Sequence, residues 1–533
     1  MTAERNPNFL LIITDQHRAD FLGCYGHPVL KTPHIDAIAA RGTRFEKFYV
    51  ASPVCMPNRA TLMTGRMPAV HGVRSNGIPL SRDAVTFVDL LRDAGYDTAL
   101  IGKSHLQNFT GFPPTSQLAK APDGYHTPSA DLRQAIRMDL RQPVYGQEQP
   151  AYWQQPGAHI QTPFYGYSHV EIVTGHGDAV GGDYRAWLRA KDPTAEEKLL
   201  GPANSLPHDY EVPQAYRTRI PEELYCTAYL AERAEAYLGA RQDASHPFFL
   251  TLSFPDPHHP FNPPGRYWDM YKPEQFPVPE AYRRNDWTPP PHVQAAIESR
   301  DTGKADLKGM RTFGVSAREA QEAQALTCGM IACIDDAIGR VLAALDASGQ
   351  RDNTVVIFTT DHGDHLGDHK LLLKGAEQYQ SILHVPFIWS DPKTPDAVAT
   401  GAIGSTIDIP ATVLDRAKIQ PFVGMQGKSL LPAMGKDGRA VRDCAFVQYE
   451  HQMPDKDVDS MPRWHSIVDG RYRMTVMSDS EFGELYDLDT DPGEFDNLWT
   501  KPEHQATRAR LMERLVQLEI AHTDTMPYPT GRA

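Results

Sequence analysis

Cysteine is scarce in this chain: six residues among 533, at Cys24, Cys55, Cys226, Cys328, Cys333 and Cys444. No two of them stand in a Cys-x-x-Cys spacing, which argues against a zinc site or a disulfide framework. Long apolar runs are missing as well. The strongest near the start, Phe9-Leu10-Leu11-Ile12-Ile13, is too short for a signal h-region or a bilayer span. No Lys/Arg-rich segment precedes it, so the expected location is cytoplasmic, with no membrane partner. Basic residues are outnumbered, 53 Lys and Arg against 67 Asp and Glu, and a net charge of −14 disfavours broad contact with nucleic acid or an anionic membrane. A small anion in a locally basic cleft is still allowed. The remaining composition, 41% hydrophobic and 23% charged, is that of a globular protein, and 533 residues are too many for one simple core.

Strand and helix signals alternate along most of the chain. Asn8 to Thr14 reads as a buried central strand that delivers Asp15-Gln16 to its carboxyl end, the edge where open α/β sheets bind ligands. Thr32-Pro33 opens a helix, and Thr86 to Ala94 forms another, which Gly95 ends. Tyr96 to Gly102 returns as a strand leading into Lys103 and His105. A helix over 222–241 precedes strand Phe248 to Phe254 and then Asp256-Pro257-His258-His259-Pro260. The longest helix, from about Ala317 to Asp346, leads into strand Thr354 to Thr360 and Asp361-His362. Val385 to Trp389 adds a strand. This alternation predicts an α/β fold with a large, mainly parallel sheet sandwiched by helices over residues 1–440. From 441 to 533 the pattern changes to short antiparallel strands, with a turn at Asp469-Gly470, followed by an amphipathic helix over Gln505 to Ile520. Residues 107–220, and a second stretch through Pro289-Pro290-Pro291 to about 315, lack sustained periodicity and read as long loops over the ligand face.

The densest motif is Ser52-Pro53-Val54-Cys55-Met56-Pro57-Asn58-Arg59, followed by Ala60-Thr61-Leu62-Met63-Thr64-Gly65-Arg66. Helical pattern begins at Asn58 with the prolines before it, placing Cys55 where a loop enters a helix. A helix start favours an anion, and Arg59 falls near the face of Cys55, so elementary chemistry suggests a thiol of lowered pKa beside an anion-binding arginine. Two strand ends each supply a carboxylate, Asp15 and Asp361, with Gln16 and His362 beside them. Carboxylates converging on one sheet edge require a cation or a proton, and oxygen-rich ligation suits Ca²⁺, Mg²⁺ or Mn²⁺ better than zinc.

Cys-x-Pro-x-Arg followed by Ala-Thr-Leu-Met-Thr-Gly-Arg resembles the signature of the type I sulfatases of the alkaline phosphatase superfamily. Leu485-Tyr486-Asp487-Leu488-Asp489-Thr490-Asp491-Pro492-Gly493-Glu494, with Asn497-Leu498, resembles their C-terminal signature. The resemblance implies that Cys55 is oxidised by a formylglycine-generating maturation enzyme, and that the hydrate of the resulting aldehyde is the nucleophile. It implies a metal site made of Asp15, Gln16, Asp361, His362 and modified Cys55, with Ca²⁺ the first choice. It further implies that Arg59 and Lys103 serve the anion, His105 is a base, and His258 and Lys374 lie near the leaving oxygen; Asn76 is a weaker substrate contact. Many sulfatases carry Asp where Gln16 stands and Asn where His362 stands, and the variant here also resembles the phosphonate monoester hydrolase branch. The Lys103/His105 pair points back towards sulfatases. The expected activity is therefore hydrolysis of sulfate monoesters, with a phosphonate monoester or phosphodiester hydrolase as the alternative. A small anionic ester is the expected substrate, and a homo-oligomer the expected assembly.

Overall fold

The computed structural model describes residues 6–112, 121–129, 132, 142–241, 245–451, 462–478 and 480–532. Nine strands form the main sheet: β1 (Asn8–Thr14), β2 (Thr43–Tyr49), β3 (Asp97–Gly102), β4 (His169–Thr174), β5 (Gly181–Gly182), β6 (Phe248–Ser253), β7 (Thr354–Thr360), β8 (Phe387–Ser390) and β9 (Val398–Ser405). Their order across the sheet is β9-β2-β8-β7-β1-β6-β3-β4-β5. The central run β7-β1-β6-β3-β4 is parallel throughout, as the alternation of elements predicts. β8 runs antiparallel to both neighbours and β5 antiparallel to β4.

All seven residues of β1 are buried, because alternate side chains enter different cores. Phe9, Leu11 and Ile13 pack with Met56, Ala60, Phe87, Val88, Leu91, Val413 and Leu414, from the helices Cys55–Thr64, Phe87–Asp93 and Asp408–Arg416. Leu10 and Ile12 pack with Ile35, Tyr184, Leu230, Ile334, Ile338 and Val341, from helices on the opposite face. The longest of those, Ala317–Ala347, begins with a capping box in which the Ser316 side chain accepts from the Glu319 N–H and the Glu319 side chain from the Ser316 N–H.

Two of the irregular stretches contain more order than their sequence pattern suggests. Within 107–220 the chain forms β4 at the sheet and the helix Asp183–Lys191, and the second stretch contains the helix Pro291–Asp301. β4 is six residues long, and only its last three side chains are fully buried, so a period-two signal had little length in which to develop. Pro291–Asp301 buries only Val293, which leaves it without an apolar stripe.

A second sheet of four antiparallel strands, Ala445–Glu450, Arg463–Val468, Tyr472–Met477 and Gly483–Asp487, packs against the helix Gln505–Ala521 through Leu511, Leu515 and Leu518. The same cluster takes in Ala51, Met67 and Ile407, so this sheet shares an interior with the larger one. Among the described residues no helix is long and apolar enough to cross a membrane.

An arginine ties the second sheet to the loop carrying Lys374. Arg473 is fully buried; its Nη1 donates to Glu484 Oε2 at 2.9 Å and its Nε to Glu494, while Glu494 Oε2 accepts the Gln380 N–H at 2.7 Å. Removing the cation strands two buried carboxylates. Arg473→Met is therefore expected to destabilise the fold by about 3–5 kcal/mol. Adding Glu484→Gln and Glu494→Gln should restore most of that loss. Denaturant midpoints of the single and triple variants test this, and an unchanged midpoint in Arg473→Met would refute it.

Candidate active site

Six segments meet at the carboxyl-end edge of the sheet. β1 delivers Asp15 and Gln16; β7 delivers Asp361 and His362; β3 delivers Lys103 and His105; β6 is followed by His258 and His259, and β4 by His176. The sixth is the helix Cys55–Thr64, which follows β2. Backbone bonds lock neighbouring strand ends together: His17 N–H to His362 O at 2.8 Å, Asp15 N–H to Asp256 O at 3.1 Å, and Lys103 N–H to Ser253 O at 2.9 Å. Gln16 and His105 adopt positive φ, 62° and 55°, a conformation costly for residues with a Cβ and common at functional sites.

The helix starts at Cys55 itself, three residues before the pattern suggested, and Pro57 lies in its first turn. Proline is tolerated there because the amide it lacks would have had no intrahelical acceptor. Cys55 Sγ is 3.0 Å from His362 Nε2 and 3.9 Å from Asp15 Oδ1. His362 Nε2 is 3.6 Å from Asp361 Oδ1 and 3.8 Å from Asp15 Oδ1. One ligand atom from each of Asp15, Cys55, Asp361 and His362 lies within 4.8 Å of the other three, and all four residues are buried. His362 Nδ1 faces Gly363 O at 2.9 Å. A carbonyl only accepts, so the ring proton is on Nδ1 and Nε2 presents a lone pair to the two carboxylates. Three lone-pair donors converging in a dry site fit a divalent cation, with the residue at 55 as a further ligand.

The expected low-pKa thiol is corrected by this environment. Burial pushes the Cys55 thiol up, and Asp15 and Asp361 add to it, against Lys374 and Lys103. The helix start does not compensate, since its Met56 N–H is already taken by Asn76 Oδ1 at 3.0 Å. That bond also shows where the structure places Asn76: its carbonyl oxygen caps the helix carrying Cys55.

The cations surround this group. Arg59 donates from Nε to Asp361 Oδ2 at 2.7 Å and from Nη1 to Lys103 O and Ser253 Oγ, each at 3.0 Å; its Nη2 is 3.6 Å from Asp15 Oδ2. Burial alone would raise the pKa of Asp361, but His362, Arg59, Lys103 and Lys374 together hold it well below the usual carboxylate range. Lys103 Nζ donates to Asp15 Oδ2 and lies 2.8 Å from His176 Nε2. Lys374 Nζ donates to Gln16 Oε1 at 2.6 Å. The Gln16 amide nitrogen donates to Asp364 and lies 3.3 Å from His259 Nδ1, while its backbone N–H donates to Asp361 Oδ1 at 3.2 Å. Gln16 thus connects Lys374 to Asp361, and its amide oxygen faces the lysine.

Four histidines line the cationic side, and burial with nearby lysines pushes each pKa well below the ordinary range: His105, His176, His258 and His259. His105 Nδ1 and His258 Nε2 are buried without a hydrogen-bond partner among the described residues. His258 Nδ1 is 2.6 Å from His259 O, which puts its proton on Nδ1 and leaves Nε2 bare. Three residues of this site carried no sequence signal as candidates. His176 sits behind the short β4; His259 was shadowed by its neighbour; Glu148 lies in the stretch read as loop. The Glu148 carboxylate, its pKa raised to about 7 by burial, accepts the N–H groups of His105, Leu106 and Gln107 at 2.9, 3.2 and 3.0 Å and so fixes the turn after Lys103.

A family model described as sulfatase matches residues 7–419, and one for the C-terminal region of N-sulphoglucosamine sulphohydrolase matches 367–521. An arylsulfatase of Clostridium perfringens is 28% identical, over 97% of this chain and 96% of its own. A multifunctional alkaline phosphatase superfamily protein, PehA, of Trinickia caryophylli is 29% identical over the same shares, 97% and 96%. Among solved structures, the phosphonate monoester hydrolase of Agrobacterium radiobacter superposes with a TM-score of 0.72 at 25% identity, covering 97% of this chain and 96% of that one.

The raised thiol pKa gives a reactivity that can be measured. In unprocessed, metal-free protein, Cys55 should be alkylated by iodoacetamide at pH 8 more slowly than glutathione, since a raised pKa lowers the thiolate fraction and burial limits access. Unfolding should abolish the difference. Peptide mapping by mass spectrometry reads the site, and labelling of native Cys55 at the glutathione rate would contradict the assignment.

Proposed function

This chain belongs to the sulfatase family, and from that membership we propose that it hydrolyses sulfate monoesters, with position 55 matured from cysteine to formylglycine. The observation that carries this reading is the buried group Asp15, Cys55, Asp361 and His362, within 4.8 Å of one another and flanked by Arg59 and Lys103. Asp15, Asp361, His362 and the modified side chain would hold the ion, joined by Gln16 once its amide oxygen turns from Lys374, and their oxygen-rich set favours Ca²⁺, with Mg²⁺ or Mn²⁺ as substitutes. When bound, the ion would supply Lewis acidity to the hydrated aldehyde and to the ester oxygens.

The chain's own residues supply the rest. Arg59 offsets the charge of Asp361 and holds the Lys103 carbonyl, which sets the height of Lys103 over the site. Lys103 and Lys374 carry N–H donors to the oxygens of an incoming anion. His105, held neutral by burial, can accept a proton at a ring nitrogen. Of the two residues assigned to the departing alcohol, Lys374 arrives with a proton to give. His258 would first have to gain one at Nε2.

A second reading, a phosphonate monoester or phosphodiester hydrolase with the same nucleophile, is favoured by Gln16 beside Asp15 and by the likeness to a phosphonate monoester hydrolase. Both substrate classes bring one negative charge, so bulk electrostatics do not separate them. Matured protein should show, by intact mass, loss of the Cys55 thiol. It should turn over 4-nitrophenyl sulfate with kcat/KM at least about tenfold above the matched phenylphosphonate ester, a difference of about 1.4 kcal/mol. Chelation should lower activity at least about a hundredfold, and adding back the ion should restore it. The reverse preference would move the assignment to the second reading; full activity with an intact thiol would remove formylglycine from the mechanism.

A further inference from the structure

His176 follows β4 on the loop Gly175-His176-Gly177 and reaches across the sheet edge to two other strands' residues. Its Nε2 lies 2.8 Å from Lys103 Nζ and 3.8 Å from Asp15 Oδ2. An ammonium only donates, so this nitrogen accepts and the ring is neutral with its proton on Nδ1. Lys103 has three N–H groups; Asp15 Oδ2 takes one and His176 Nε2 another, so one is left for a ligand oxygen. Phe109 closes the far side, its ring 5.2 Å from Nζ and 5.4 Å from the His176 ring. The face of His176 is stacked on His258 with centroids 3.5 Å apart and planes 4° from parallel. His258 Nε2, buried and without a partner among the described residues, belongs to that stacked ring.

We infer that His176 is a positioning residue with two separable functions: its Nε2 pins the rotation of the Lys103 ammonium for anion binding, and its ring face fixes the His258 imidazole on the leaving-group side. Asp15 Oδ2 and His176 Nε2 are acceptors that would otherwise attract a second cation, and the lysine supplies that charge from within the chain. The inference rests on the sulfatase reading for the identity of the anion and deepens it, but the pairing with Lys103 and His258 holds for any tetrahedral oxyanion.

Two substitutions divide the functions. His176→Phe keeps a flat ring for His258 and deletes the acceptor; His176→Gln keeps an acceptor within reach of Lys103 and deletes the ring. Both are made in matured, metal-loaded protein, with thermal midpoint and metal content checked against the unsubstituted enzyme. Titration calorimetry with inorganic sulfate should show His176→Phe weakened about tenfold, the loss of one charge-assisted hydrogen bond, and His176→Gln within about threefold. Kinetics with 4-nitrophenyl and phenyl sulfate should show the opposite split. His176→Gln should lose kcat more steeply on the poorer leaving group, and His176→Phe should raise KM alike on both. If sulfate affinity and leaving-group dependence match the unsubstituted enzyme in both variants, or if both variants lose every parameter equally, the inference is overturned. Should the unsubstituted enzyme prefer phosphonate esters, the sulfatase reading fails separately. The same comparison with inorganic phosphate and a phosphonate ester pair then decides the role of His176.

Discussion

The structure depends on how the two oxygens of Asp15 are divided. Oδ1 faces Cys55 and His362; Oδ2 receives Lys103 and lies near Arg59 and His176. Asp361 stands beside it with His362 between them. Two buried carboxylates at such a distance repel, by about 4 kcal/mol per pair at 4 Å and an effective dielectric near 20. They persist only where positive charge is brought to each. No single segment supplies enough, so the fold gathers Arg59 from a helix start, Lys103 from one strand end and Lys374 from a loop anchored to the second sheet. The parallel centre of the sheet makes this possible, because adjacent parallel strands present their carboxyl ends on one edge.

This arrangement explains a chain that is acidic overall yet built for an anion. The charge of −14 is spread over a large surface, where salt screens it beyond about 8–10 Å. The cations of the site are buried and therefore little screened. Burial also accounts for the neutral histidines: out of water and with lysines close by, another positive charge would be repelled, so His105, His176, His258 and His259 serve as hydrogen-bonding and stacking groups before any ligand arrives.

The sequence was most legible where one strand ends in chemistry. Asn8–Thr14 into Asp15 and Thr354–Thr360 into Asp361 could be read because a fully buried strand is an unbroken apolar run and the polar residue after it stands out. The Cys55 motif was legible through its resemblance. The expectation of a reactive thiol was not met, because a helix-start argument counts local amides and cannot see that Asn76, twenty-one residues on, occupies one of them or that two distant aspartates lie alongside. His176 and Glu148 were illegible for a related reason. Their partners, Lys103 and the His105–Gln107 backbone, are between about 40 and 75 residues away, and nothing local to either marks it. Strand β2 was missed because its burial breaks alternation, with exposed Glu46 followed by half-buried Lys47 in the middle of an otherwise internal strand.

The inert thiol and the crowded cations belong to one design. A cysteine with a depressed pKa beside His362 would bind metal tightly through sulfur and be exposed to oxidation along several routes. Here burial and two carboxylates push the thiol pKa up against Lys374 and Lys103, and the Asn76 cap occupies one of the helix-start amides. The lone pairs of Asp15, Asp361 and His362 remain directed at the space beside position 55. An oxygen-bearing side chain at that position would complete a hard-donor set, whereas a protonated thiol does not. The contacts that suppress the reactivity of this thiol are made by residues far apart in the chain.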